Sequence, residues 1–220
     1  MSTTDDAPAH VTQTVALIAD PAPLGLAAFA LTTFLLSAVN AGWAKSSTGS
    51  DWVGYAFAYG GLAQLLAGMW EFKNRNVFGS TAFSSYGAFW IGLGLWAVLV
   101  APHALSANAA NKDLAWILLA FAIFNTYMLI FSTQVNVAVF MVFLTLELTE
   151  IFLFIGGFAG NANITKVGGY IGVLTALAAW YASAAGVING MKGGIIAPVG
   201  RPLLDFRSRT AVSAGNTAIR

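Results

Sequence analysis

Glu147 and Glu150 stand in the run LTLELTEIFLF, Leu144–Phe154, inside an otherwise oily segment. Residues three apart on a helix share a face, so the two carboxyl groups project to one side of an apolar rod. An ionised acid at the centre of a bilayer costs about 2.5–3.5 kcal/mol on insertion scales. No apolar run of the chain contains a lysine or arginine to pair with them. One or both must therefore hold a proton or face water. Two readings stay open: a neutral carboxylic acid donating a hydrogen bond between helices, or a proton acceptor on a transport route.

Other polar residues fall in similar runs. Phe29, Thr33, Ser37 and Asn40 recur at spacings of four, four and three, which makes one helical stripe. The stripe is either helix–helix hydrogen bonding or the wall of a polar pathway with Phe29 as its constriction. Gly60, Gln64 and Gly68 share another face, where glycine permits close backbone approach. Thr81, Ser84, Ser85 and Tyr86 cluster near the start of a third run, and Asn125 is isolated within a fourth. A hydroxyl here can simply satisfy a backbone carbonyl, and a lone amide needs a partner or water. Gly156 with Gly160, and Gly168 with Gly172, have the spacing of helix-packing pairs.

The elements that position these residues follow from composition. Hydrophobic residues make up 58% of the 220-residue chain and charged residues 9%, against about 25% charged in soluble domains. Mean hydropathy is +0.74. Such a chain reads as an all-α, multi-pass membrane protein. Six runs have the length to cross a bilayer: 24–43, 52–70, 83–101, 114–131, 135–158 and 168–189. Polar breaks separate them, and the fourth and fifth are joined so closely that they form a helical hairpin. Residues 1–20 form a polar N-terminal segment and 191–220 a basic tail, with no signal peptide read at the start. Lys73, Arg75, Lys192, Arg201, Arg207, Arg209 and Arg220 fall on one side, and Lys45, Lys112 and Lys166 on the other. That asymmetry predicts both termini in the cytoplasm. Trp43, Trp52, Trp70 and Trp116 lie near predicted span ends, where tryptophan anchors at the interface.

With no cysteine, and with His10 and His103 outside the spans, no thiolate or histidine metal centre is expected within the membrane. No cofactor and no nucleic-acid partner is expected. The spans offer no nucleophile–base pair, which argues against an enzyme. A retinal pump requires a lysine within a span, and every lysine lies outside the predicted ones.

The heptapeptide DPAPLGL, comprising Asp20, Pro21, Ala22, Pro23, Leu24, Gly25 and Leu26, resembles the NPAPLGL signature of the acetate uptake transporter family. So does YGGLAQLLAGMWEFKNRNVFGSTAFSSYGAFW, Tyr59–Trp90, and AGN at Ala159–Asn161 fits as well. Asp20 departs from the family's asparagine, although it too can cap the following helix. Pro21 and Pro23 are expected to hold an extended entry to that helix, and Gly25 to let the chain turn closely. The resemblance implies six-helix protomers assembled as a homo-hexamer, each with its own pore for small monocarboxylates and sometimes succinate. It implies an apolar–aromatic constriction at Phe29, Tyr86 and Leu146. The two glutamates are not part of that pattern.

The expectation is a cell-membrane transporter of acetate and similar small carboxylates. Thr33, Ser37, Asn40, Gln64, Thr81, Ser84 and Asn125 would line the path, and Glu147 or Glu150 would carry an accompanying proton. A passive anion channel with the same pore is one alternative. A membrane sensor that binds acetate without carrying it is another.

Overall fold

A computed structural model describes residues 18–44 and 49–204, and they are mostly helical, without a strand among them. The helices are α1, Ala22–Asn40; α2, Val53–Phe57; α3, Gln64–Lys73; α4, Val77–Leu95; α5, Ala107–Ser132; α6, Val137–Ala159; and α7, Ala162–Lys192. A π-helical stretch, Ala58–Ala63, joins α2 to α3, and a second, Trp96–Val100, continues α4. Five helical segments are long and apolar enough to cross a membrane: Ala22–Asn40, Val77–His103, Ala107–Ser132, Val137–Ala159 and Ala162–Lys192. The segment from Val53 to Lys73 is helical without a break but changes pitch in its middle. Lys45, Arg207, Arg209 and Arg220, on which the charge asymmetry partly rests, lie outside the described residues, as does His10.

Several helices begin earlier than hydropathy suggests, because capping rather than oiliness sets their starts. Asn76 Oδ1 accepts the Gly79 amide at 3.0 Å, Ser106 Oγ that of Ala109 at 3.1 Å, and Asn136 Oδ1 that of Val139 at 2.9 Å. Asn161 Oδ1 takes two amides, Asn163 and Ile164. Each satisfies amides that the first helical turn leaves free. The predicted loops around 107–113 and 162–167 are therefore the first turns of α5 and α7, and Thr81 lies inside α4. The α5–α6 hairpin is as tight as expected, with Ser132 and Val137 at its two helix ends.

Two expectations are corrected. The entry to α1 is not extended: Pro21 is already near helical geometry, at φ −80° and ψ −13°, and Pro23 sits in the first turn. Proline is tolerated there because the first amides have no intrahelical partner. Trp52 is not an exposed anchor, being 7% exposed and tilted against Trp90 at 6.5 Å. Trp43, Trp70 and Trp116 are exposed.

The helices close in a ring of neighbours: α1 on α7, α7 on α6, α6 on α5, α5 on α4, α4 on α3, and α3 back on α1. Glycine sets the tightest approaches. A Cβ at Gly169 of α7 would stand 2.6 Å from the Asn40 carbonyl carbon, and one at Gly87 of α4 would stand 2.6 Å from the Leu65 amide. Residues after α7 return to the bundle. The Ala138 amide donates to Val199 O at 2.9 Å, and the Leu203 amide donates to Thr133 O at 2.7 Å.

Candidate functional site

A cavity of about 400 Å³, counted to its open mouth, lies between α1, α4, α5 and α6. From α1 it takes Phe29, Thr33, Leu36, Ser37 and Asn40; from α4, Tyr86, Phe89 and Trp90; from α5, Leu118. Leu146, Thr149, Glu150 and Leu153 complete it from α6. Along α1 these residues run from the helix middle to its C-terminal end, so the cavity lies toward the Asn40 end of the helix.

Phe29, Tyr86 and Leu146 meet at this cavity, each under 7% exposed. The Phe29 and Tyr86 rings pack edge to face with centroids 5.7 Å apart. Phe89, Phe121 and Phe124 surround Tyr86 at 6.1, 5.6 and 5.6 Å, which fixes the ring by aromatic packing. The lining carries no lysine, arginine or histidine.

Behind Tyr86 a polar chain crosses from α4 through α5 to α6. Tyr86 Oη lies 3.1 Å from Asn125 Oδ1 and 3.3 Å from Glu150 Oε1. Asn125 Nδ2 donates to Phe143 O at 3.0 Å and to Glu147 Oε2 at 2.7 Å. Thr126 Oγ1 donates to Glu147 Oε1 at 2.8 Å. The two glutamates thus have different surroundings. Glu147 is half-buried at the α5–α6 contact with two donors, and Glu150 is buried beside Tyr86 and the cavity with Oε2 unpartnered. Asn125, fully buried, is the bridge between them.

The remaining sequence candidates lie elsewhere. Gln64 is buried at the start of α3 with its Oε1 unpartnered, and Ser84 lies under Gly68 at the α3–α4 contact. Thr81 is half-buried on α4, away from the cavity. The signature heptapeptide sits at the other end of α1 and ties that end down. Asp20 Oδ1 accepts the Ala22 amide at 2.9 Å, Ser183 Oγ of α7 donates to Pro23 O at 2.6 Å, and Gly25 lies against the Phe83 ring. Gly25 thus serves a close helix contact and not a turn.

Phe89, Trp90, Leu118, Thr149 and Leu153 line the cavity without having been singled out from sequence. A signal was present for three of them. Leu146, Thr149, Glu150 and Leu153 follow the spacing of one helical face, and Trp90 stands four residues after Tyr86. Glu71 was also passed over, as part of a polar loop. It lies in the last turn of α3, 0% exposed, with its Oε2 accepting from Asn74 Nδ2 at 3.4 Å.

Comparison with known proteins adds a family. A model described as the GPR1/FUN34/yaaH family matches residues 4–201. Acetate permease A of Emericella nidulans is 42% identical over 198 residues, covering 82% of this chain and 65% of that protein. The chain thus spans slightly under two thirds of the length of this fungal relative. The succinate-acetate/proton symporter SatP of Escherichia coli K12 is 36% identical over 184 residues, covering 83% of this chain and 96% of that protein. A solved structure, described as that of the bacterial acetate channel SatP, superposes with a TM-score of 0.77 at 34% identity, over 84% of this chain and all of that one.

Proposed function

We propose that this chain, which belongs to the GPR1/FUN34/yaaH family, carries acetate and similar small carboxylates across a cell membrane. The chain is a multi-pass membrane protein, and in this reading Val53–Lys73 is the sixth span of a protomer built around a central path. The supporting observation is the cavity that ends at Phe29, Tyr86 and Leu146. Hydroxyls and an amide line it without a basic side chain, so a carboxyl group is met by neutral donors that release it readily. Its aromatic end passes only a narrow solute.

The reading includes proton-linked uptake, with Glu150 as a proton-holding group on the path and Glu147 behind it. It also includes a homo-hexamer, each protomer with its own path. Residues 21–190 form the transport unit, and both termini face the cytoplasm. Succinate enters as an expectation from the name of the E. coli relative. A second reading, passive flow down a gradient, is favoured by the similar solved structure, which is described as that of a channel.

Purified protein in liposomes, given labelled acetate and an imposed inward proton gradient, separates the two. Accumulation above the outside concentration supports proton-linked uptake. Protein-dependent equilibration without accumulation supports the channel. Saturable binding without protein-dependent flux makes the chain a sensor and refutes transport.

A further inference from the structure

The chain beside Tyr86 has one hydrogen fewer than its contacts require. Both hydrogens of Asn125 Nδ2 are engaged, on Phe143 O and on Glu147 Oε2. The Phe143 carbonyl fixes that orientation of the amide. Asn125 Oδ1 is then a fully buried acceptor whose donor is the Tyr86 hydroxyl, 3.1 Å away. Tyr86 has a single hydroxyl hydrogen. Its 3.3 Å approach to Glu150 Oε1 is favourable only if Glu150 supplies the proton. Glu150 is then a neutral acid donating to Tyr86 Oη, while Glu147 keeps the two donors suited to a carboxylate.

This leaves Glu150 Oε2 as a carbonyl-type acceptor, buried and without a partner. Two other cavity residues hold unpartnered buried polar atoms: Thr33 Oγ1 on α1 and Trp90 Nε1 on α4. An unmet buried polar atom costs about 1–3 kcal/mol, so a ligand that satisfies these three would be stabilised by them. The set comprises one acceptor, one donor and one hydroxyl. An acetate anion has no hydrogen to give Glu150 Oε2. An undissociated carboxylic acid does, and its carbonyl accepts from Thr33 or Trp90. The ionisable groups beside Glu150 are Tyr86 on α4 and Glu147 on its own helix. The polar groups that α1 gives the cavity are the hydroxyls of Thr33 and Ser37 and the Asn40 amide, none of them ionisable.

We propose that Glu150 Oε2 and Thr33 Oγ1, with Trp90 Nε1, form a subsite for the neutral form of a small carboxylic acid. The inference rests on the reading of this cavity as an acetate path. It makes the substrate carry its own proton to the constriction.

The test is isotope-edited infrared spectroscopy of carboxyl-labelled acetate bound to the full chain in detergent micelles. The bound label should show a carboxylic-acid carbonyl band at neutral pH, where the free label is a carboxylate. Apparent affinity for total acetate should fall about tenfold per pH unit above the pKa of the acid. Glu150→Gln should keep the acid band, with affinity within about threefold, because an amide donates to Tyr86 and presents the same free acceptor. Glu150→Leu and Thr33→Val should each weaken binding by about tenfold, as loss of one hydrogen bond implies. A carboxylate band in the wild type, loss of the acid band in Glu150→Gln, unchanged affinity in both Glu150→Leu and Thr33→Val, or no saturable binding would each overturn the subsite. Flux is read separately. A protein that moves acetate yet binds it as a carboxylate remains a transporter without this subsite, and one that shows the acid band without flux has the subsite without transport.

Discussion

Tyr86→Phe removes one oxygen and leaves the ring that closes the cavity. The aromatic packing around position 86, with Phe29, Phe89, Phe121 and Phe124 at 5.6–6.1 Å, is retained. The polar chain behind it is not. Asn125 Oδ1, in a residue with 0% exposure, loses its donor, and Glu150 Oε1 loses its neighbour. A buried acceptor left unmet costs about 1–3 kcal/mol. Replacing Asn125 by leucine removes the acceptor itself, so Tyr86→Phe should then cost much less. The double-mutant cycle should give a coupling of about 1–2 kcal/mol, within the range for residues sharing one network. Reversible unfolding in mixed micelles measures the four stabilities. The size cut-off among acetate, propionate and lactate should stay unchanged in Tyr86→Phe, because the aperture is set by the ring. A coupling below about 0.5 kcal/mol, or a changed size cut-off, would refute the assignment of the hydroxyl to Asn125 and of the ring to the aperture.

Phe29→Ala should raise the flux of propionate and succinate relative to acetate, read by competition in liposomes. It should also lower stability by about 3–5 kcal/mol, the usual cost of deleting a buried phenylalanine. Gly169→Val should abolish the folded, monodisperse protein seen by size-exclusion chromatography, since even a Cβ there meets the Asn40–Ala41 backbone of α1.

Much of the architecture was legible because a bilayer imposes length and oiliness on whatever crosses it. The long runs of apolar residues, the tight α5–α6 hairpin and the family signature could all be read directly. The stripe of Phe29, Thr33, Ser37 and Asn40 was legible too, since helical spacing alone puts them on one face, and all four reach the cavity. Helix ends were misplaced where Asn76, Ser106 and Asn161 cap turns made of polar residues. Hydropathy reads those turns as loops, whereas capping chemistry extends the helix through them. Thr81, Gln64 and Ser84 were equally polar candidates and do not line the cavity. Spacing says which residues share a face but not which neighbour that face meets.

The two glutamates show the same division. The sequence alone placed Glu147 and Glu150 on one side of an apolar helix, and the cost of charge in lipid required a proton or a partner for them. Only the packed bundle decided that Glu147 turns to Asn125 and Thr126 while Glu150 turns to Tyr86 and the cavity. The reason is geometric. Helical periodicity fixes angles within one rod, but the rotation of each rod against its neighbours is set by contacts such as Gly169 on Asn40 and Gly87 on Leu65, made between residues far apart in the chain.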